Sequence, residues 1–316
     1  MYAHEYFIMW LENKEPDLRT VTFEGYKIYV LKHIVPYFKN LNILLSDIKP
    51  INIKNYYTYK HKSGRLDGKQ GGLSNVSIKK HGNIIREALN EAVLLEYIDR
   101  NPALNVKPPK ITPFENKYVF LNQNQCSNML KALKCHYLYG IVSITLYYGL
   151  RRSEALGLKW SAVDFEADEL SICHTVVKNV SIIRKDTTKT TSSMRIFELL
   201  PEIKTLLLEI KEQQKTSGYY EFNGYIFKDK NGEPFRPDSV TRGFQRAIKK
   251  AGFQKMRFHD LRHTTASILY EKNWSVKDIQ SWLGHKDIET TLNIYTHISN
   301  DRKKRLANNM AGTFNL

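Results

Sequence analysis

The sequence predicts a mainly α-helical chain in two parts, carrying one small antiparallel β-sheet. Three observations lead there. Apolar residues recur at helical spacing through the first hundred residues and again from about Leu121. Between Leu170 and Leu199 the pattern changes to short, β-branched, partly alternating segments. Lys107-Pro108-Pro109-Lys110, continuing to Pro113, is an extended basic stretch that separates the two parts. At 316 residues the chain can bury two cores of ordinary size.

The elements follow in order. Phe23, Tyr26, Val30 and Ile34 share one helical face, and so do Ile85, Ala88, Leu89 and Ala92. Between them Lys60 to Gly72 is rich in glycine and basic residues, which predicts a surface loop outside any core. Such a loop can lie on a phosphate backbone or merely connect two helices. Asn101-Pro102 is expected to end the last helix of this region. The predicted division is a helical domain over residues 1–107, a linker over 108–116 and a second domain over 117–316.

In that second domain Leu138 to Leu150 is the longest apolar run, too short to cross a membrane and suited to a buried helix. Leu170–Val177, Ser181–Arg184 and Arg195–Leu199 read as one three-stranded antiparallel sheet, with Lys189 in the turn region before its third strand. Tyr225–Phe227 is a short extended piece, and Pro237–Ala251 a helix ended by Gly252. Ser275 and Asp278 form a capping box for a helix that Gly284 stops. The basic stretch Asn300–Arg305 precedes Leu306, Met310, Phe314 and Leu316, apolar residues at wide helical spacing. A helix there would pack on its own domain or dock on a neighbouring protomer.

Composition narrows the partner. The chain has 48 Lys and Arg against 32 Asp and Glu, a formal charge of +16 spread along its length. That suits a long polyanion, although a basic protein without nucleic acid, or one attracted to a membrane surface, would share the bias. Cys126, Cys135 and Cys173 form no CxxC pair, which speaks against a disulfide framework and a zinc ribbon and for a reducing compartment. Residues 1–10 lack the pattern of a signal peptide. A cytoplasmic protein without a membrane span is expected.

The chemistry concentrates near the C-terminus. His259-Asp260-Leu261-Arg262, Leu283-Gly284-His285 and Tyr295 supply an arginine, imidazoles and a phenol. An arginine fork meets phosphate oxygens, imidazoles move protons, and a phenol oxygen can become a covalent link. Gly149-Leu150-Arg151-Arg152-Ser153-Glu154 and Thr188-Lys189-Thr190 lie upstream. Each motif alone is weak: Glu154 could simply serve a helix dipole, and Tyr295 could be a core tyrosine. His259 and His263 stand four apart like metal ligands, but without an HExxH glutamate or nearby cysteines.

The set is specific where its members are not. Tyr148–Trp160, Thr188–Ile196, His259–Thr264 and Leu283–His297 together resemble the catalytic domain of the tyrosine recombinases, the phage-integrase family. The resemblance covers about residues 114–300, and residues 1–107 are similar, less strongly, to the family's helical core-binding, SAM-like domain.

The resemblance implies a site-specific DNA recombinase or integrase acting through a 3′-phosphotyrosine intermediate, on a phage or conjugative transposon. Tyr295 would be the nucleophile, Arg151 and Arg262 the phosphate clamps, Lys189 the acid for the departing 5′-oxygen. His259 would assist proton transfer and His285 would hydrogen-bond the phosphate. Arg151 rather than Arg152 falls at the family's Gly-x-Arg position; His263, Arg195 and His297 would support the fold or touch the backbone. Neither metal nor ATP nor any other cofactor is implied. The implied partners are double-stranded DNA, further copies of the chain in a synaptic homotetramer, and accessory DNA-bending or excision proteins. The arm-binding domain that many integrases carry ahead of the core-binding one is not visible. A type IB topoisomerase-like enzyme and a non-catalytic DNA-binding regulator are the rival readings.

Overall fold

The computed structural model describes residues 1–110, 119–178, 182–185 and 194–284, with 178 and 182–185 described as backbone. The chain divides into two compact units, residues 1–116 and 117–316.

The first unit is helical. It contains α1 (Ala3–Asn13), α2 (Thr20–Tyr29), a π-helical turn (Val30–Ile34), α3 (Val35–Leu41), α4 (Pro50–Ser63) and α5 (Asn75–Leu94). Ser74 starts α5 by accepting the Ser77 N–H at 3.2 Å, and Pro50 opens α4 with its φ already set. Tyr6, Phe7 and Trp10 of α1 enter a core with Phe38, Ile53, Tyr56, Ile85 and Leu89. The Tyr6 hydroxyl donates to the Ala88 carbonyl at 2.7 Å, and the Trp10 indole to Glu91 at 3.0 Å, so α1 is fixed to α5 by buried polar contacts as well as by area.

Two expectations for this unit are corrected. Lys60 to Gly72 is not all loop, because α4 continues to Ser63 and Lys60 is buried. Its ammonium lies 5.6 Å from the Tyr56 ring and 5.1 Å from the Tyr59 ring, and ring faces replace part of its hydration. The last helix ends at Leu94, well before Asn101-Pro102, where Glu96 turns left-handed at φ 59°. Asn101 instead pins the following segment to the side of α5, donating to the Arg86 carbonyl at 3.0 Å and the Asn90 side chain at 2.7 Å.

The second unit begins with α6 (Gln123–Leu133), capped by Asn122 and Gln125, and α7 (Tyr139–Tyr148), which is buried on nearly every side. After these come α8 (Arg152–Gly157), strands β1 (Val163–Asp164), β2 (Glu169–Ile172), β3 (Thr175–Lys178), β4 (Ile182–Lys185) and β5 (Arg195–Glu198). Helices α9 (Pro201–Thr216), α10 (Pro237–Lys250), α11 (Asp260–Glu271) and α12 (Val276–Leu283) complete the described part. The apolar run at Leu138–Leu150 is a core helix, as its length implies, and no helix among the described residues is long and apolar enough to cross a membrane.

Among the described residues the expected single sheet is two. Strands β1, β2 and β5 form a three-stranded antiparallel sheet, and β3 pairs with β4 in a separate hairpin. The segment read as one strand, Leu170–Val177, breaks at Cys173-His174. Gly157 of α8 lies so close there that a Cβ on it would sit 2.5 Å from the His174 carbonyl oxygen, and the chain leaves the first sheet to pass it. Leu170, Ile172 and Val176 are all buried, so alternation continues across the break and conceals it. The missed strand β1 is set by Asp164, whose carboxylate accepts the Glu166 and Ala167 N–H groups at 2.9 Å each and closes the hairpin.

Candidate active site

Five elements of the second unit meet at one place. Helix α7 ends at Gly149 (φ 62°), Leu150 is buried, and Arg151 takes an extended conformation ahead of α8. Glu154, in the first turn of α8, accepts the Arg151 backbone N–H at 2.8 Å and the Arg151 Nη1 at 2.6 Å. The neighbouring Arg152 points elsewhere, donating to the Pro237 carbonyl and the Thr241 hydroxyl of α10. Adjacent arginines are thus separated by the start of one short helix.

Helix α11 brings the next group. Arg257 holds Asp260 with contacts at 2.8 and 3.1 Å and fixes the helix start. One turn on, the Arg262 N–H donates to the His259 carbonyl at 3.1 Å, so the two side chains leave the same turn. Thr265 donates to the Leu146 carbonyl at 2.7 Å and locks α11 against α7. Arg262 is 1% exposed as a side chain. Its Nη1 donates to the Gly149 carbonyl at 2.7 Å and its Nη2 to the Leu283 carbonyl at 2.6 Å. Arg151, one-third exposed, donates from Nη2 to the Gly284 carbonyl at 2.7 Å. Arg262 therefore holds carbonyls at the C-terminal ends of α7 and α12, and Arg151 holds one at the end of α12; these groups lie at the negative ends of the helix dipoles.

Strand β5 supplies a third guanidinium. Arg195 donates from Nη2 to Glu154 at 2.8 Å and from Nη1 to the Leu283 carbonyl. Phe197 of the same strand packs on Trp282 of α12 with ring centroids 4.7 Å apart, and Trp282 in turn meets Trp274 at 5.4 Å. These rings hold β5 to α12 by apolar burial.

The electrostatics follow from this crowding. Burial alone would raise the Glu154 carboxyl, but Arg195, Arg151 and Arg262 outweigh it and hold it below the usual carboxylate value. Burial and the charge of Arg151 push Arg262 well below an ordinary guanidinium, which stays protonated because it starts so high. Burial, then His263, Arg262 and Arg151, lower His259 to about 4, although part of its surface remains open to solvent. At neutral pH its imidazole is uncharged. His263, with its ring 4.9 Å from that of His259 and perpendicular to it, is likewise lowered to about 4, chiefly by burial.

Of the six candidates, Arg151, His259 and Arg262 are brought together. Lys189, His285 and Tyr295 lie outside the described residues. Two members of the cluster were undervalued in the sequence. Glu154 reads as a helix-dipole partner but bridges guanidiniums from two distant segments, and Arg195 reads as a supporting residue but touches two of those segments. The Arg-x-x-Glu spacing was the available signal for Glu154; for Arg195 no local signal exists.

A family model for the phage integrase family matches residues 119–302, more than half of the chain. The chain belongs to the phage integrase family. A second model, the N-terminal SAM-like domain of phage integrases, matches residues 4–61. A XerC-like tyrosine recombinase of Caldanaerobacter subterraneus is 30% identical over 84% of this chain and 72% of its own length. The integrase of Staphylococcus phage L54a is 27% identical over 94% of each chain. Among solved structures, the transposon Tn1549 integrase in complex with a circular intermediate DNA superposes with a TM-score of 0.77. That match spans 97% of this chain and 99% of the other at 20% identity, which shows the fold. The protein is a tyrosine recombinase family enzyme of mostly helical fold, with a SAM-like domain ahead of the integrase catalytic domain.

Proposed function

We propose that this recombinase cuts and rejoins double-stranded DNA through a 3′-phosphotyrosine on Tyr295 and that it integrates or excises a mobile element. One observation carries the reading: Arg151 and Arg262 converge on the carbonyls of Leu283 and Gly284, where the chain enters the segment bearing His285 and Tyr295. An excess of buried positive charge, held by carbonyl dipoles, favours a phosphate.

In this scheme the Tyr295 oxygen attacks phosphorus, the bond from phosphorus to the 5′-oxygen breaks, and Lys189 protonates that oxygen. Ionising a phenol of pKa about 10 at neutral pH costs roughly 4 kcal/mol, and transfer to an imidazole at about 4 would cost more; His259 takes the phenol proton once the negative charge of the bound phosphate has raised its basicity. Arg151 is the guanidinium a phosphate meets first. Arg262 adds charge from behind and turns one N–H to a non-bridging oxygen while the Gly149 carbonyl holds it in place. His285 donates a hydrogen bond to the same phosphate. The phosphotyrosine conserves the bond energy, so a 5′-hydroxyl from another strand reverses the step without ATP.

Residues 1–107 would form the core-binding domain and 108–116 the linker to a catalytic domain over 117–316, both halves binding one duplex. The net charge of +16 supports DNA as partner, as does the DNA held by the Tn1549 integrase. The phage and transposon integrases among the similar proteins support a mobile element. Recombination between two sites would need four protomers, with accessory DNA-bending proteins as further partners.

The test is a nicked suicide substrate incubated with the full chain, followed by mapping of the attached residue. Tyr295→Phe should abolish the covalent adduct and leave DNA binding within about tenfold. An adduct retained by that variant, or mapped to another residue, removes Tyr295 as nucleophile. Relaxation of plasmid lacking paired sites by a monomer would favour the topoisomerase reading.

A further inference from the structure

Resting on the reading above, we propose that Arg195 is a positioning residue for strand transfer: it occupies Glu154 and the Leu283 carbonyl so that Arg151 and Arg262 keep their places beside the scissile phosphate. Nothing in the chemistry of cleavage requires a third arginine, yet one is buried here, its side chain 8% exposed. It stands on β5, six residues after Lys189.

The contacts are divided in a particular way. Glu154 Oε1 is taken by Arg151 Nη1, and Oε2 is shared by the Arg151 N–H and Arg195 Nη2. Arg262 Nη1 stands 3.9 Å from the same Oε2, beyond hydrogen-bond reach, and bonds the Gly149 carbonyl instead. Remove Arg195 and Oε2 loses its side-chain donor in a buried site. Among the described residues Arg262 stands ready at 3.9 Å, and closing that gap would pull its guanidinium off the Gly149 carbonyl and pair it with a carboxylate. The group that should face phosphate would then be neutralised and displaced.

The second contact acts on the other side. Arg195 Nη1 and Arg262 Nη2 share the Leu283 carbonyl, whose two lone pairs accept both. Arg195 thereby joins the strand that follows the Lys189 segment to the residues that precede His285. Gly284 is required twice over. Its φ of 64° suits glycine, and a Cβ there would overlap the Arg195 guanidinium. Lysine could reach one of the two acceptors but not both, because the fork geometry is particular to arginine.

The experiment compares wild type, Arg195→Ala and Arg195→Lys as full chains on the nicked duplex that wild type cleaves. It is then repeated with the scissile phosphate replaced by an uncharged methylphosphonate. With phosphate, Arg195→Ala should lower the single-turnover cleavage rate at saturating DNA by about 10- to 100-fold, the scale for small misplacements, with duplex Kd changed less than about threefold. Arg195→Lys should fall between. With methylphosphonate there is little charge to stabilise, so the ratio of wild-type to variant rates should shrink several-fold. A purely structural role would lower both substrates alike. Equal loss on both, or wild-type rates for both variants on phosphate, overturns the inference. If Arg195→Ala does not fold, Arg195→Lys at matched thermal stability decides by the same ratio. Absence of any wild-type adduct would instead defeat the functional reading itself, a result distinguishable from failure of the role given to Arg195.

Discussion

Replacing Glu154 tests the polar cluster most directly. The carboxylate receives the Arg151 N–H at 2.8 Å, Arg151 Nη1 at 2.6 Å and Arg195 Nη2 at 2.8 Å, and is itself almost fully buried. Glu154→Ala removes the carboxylate that three guanidiniums share among the described residues, and breaking a buried pair in this way costs about 3–5 kcal/mol. At roughly 2–4 °C per kcal/mol for a unit of this size, the catalytic unit should melt on the order of 10 °C lower. Glu154→Gln keeps an acceptor for the Arg151 N–H and should lose less. The pH dependence has a definite sign. Glu154 has a folded pKa below the ordinary 4.5, so its contribution is present above that value and fades as pH falls through the lowered one. Differential scanning calorimetry of the full chain from pH 7 to pH 3 reads both effects. A Glu154→Ala melting point within about 2 °C of wild type would refute the idea that this carboxylate holds the cluster together.

Three further outcomes are expected. His33 and His81 are pushed to about 4 and about 3, chiefly by burial, so the unfolded chain takes up protons that the folded first unit does not; stability should fall as pH drops from about 6.5 toward 4. At about 1.4 kcal/mol per pKa unit, His33 alone accounts for on the order of 3 kcal/mol, and His81→Gln should flatten the profile read by hydrogen exchange of α5; an unchanged profile would refute the assignment. Lys189→Ala should lose about 10²- to 10⁴-fold in cleavage and recover on a substrate with a 5′-thiol leaving group, which needs no acid; no recovery would reassign the proton donor. Ending the chain after Asn300 should impair synaptic tetramer formation in a gel assay more than binding by one protomer; normal synapsis would place the tail on its own domain.

What the sequence disclosed was what neighbouring residues decide together. The faces of α2 and α5, the cap at Ser275 and the stop at Gly284 rest on periods and contacts within one turn. The pairing of strands did not, because Leu170, Ile172 and Val176 keep one alternation while Gly157, distant in sequence, diverts the chain at His174. Lys60 misled for a related reason. A lysine among glycines suggests solvent, and only the fold shows the Tyr56 and Tyr59 rings that receive it. The site divided in the same manner: short motifs read with the family resemblance pointed to Arg151, His259 and Arg262, whereas the roles of Glu154 and Arg195 depend on contacts across 41 residues.

The choice of partners for the three arginines bears on the charge that the site presents. Three carboxylates would stabilise three buried guanidiniums most simply, and would leave a neutral cluster with no attraction for phosphate. Among the described residues one carboxylate serves, and further contacts go to the carbonyls of Gly149, Leu283 and Gly284. Carbonyl dipoles at helix ends orient a guanidinium and offset part of its desolvation without cancelling its charge. Among the described residues the cluster has three guanidiniums to one carboxylate, with Arg151 at the solvent side. On the function proposed above, a phosphodiester would supply the charge that the described cluster lacks, and binding would gain from a geometry already established in the folded protein.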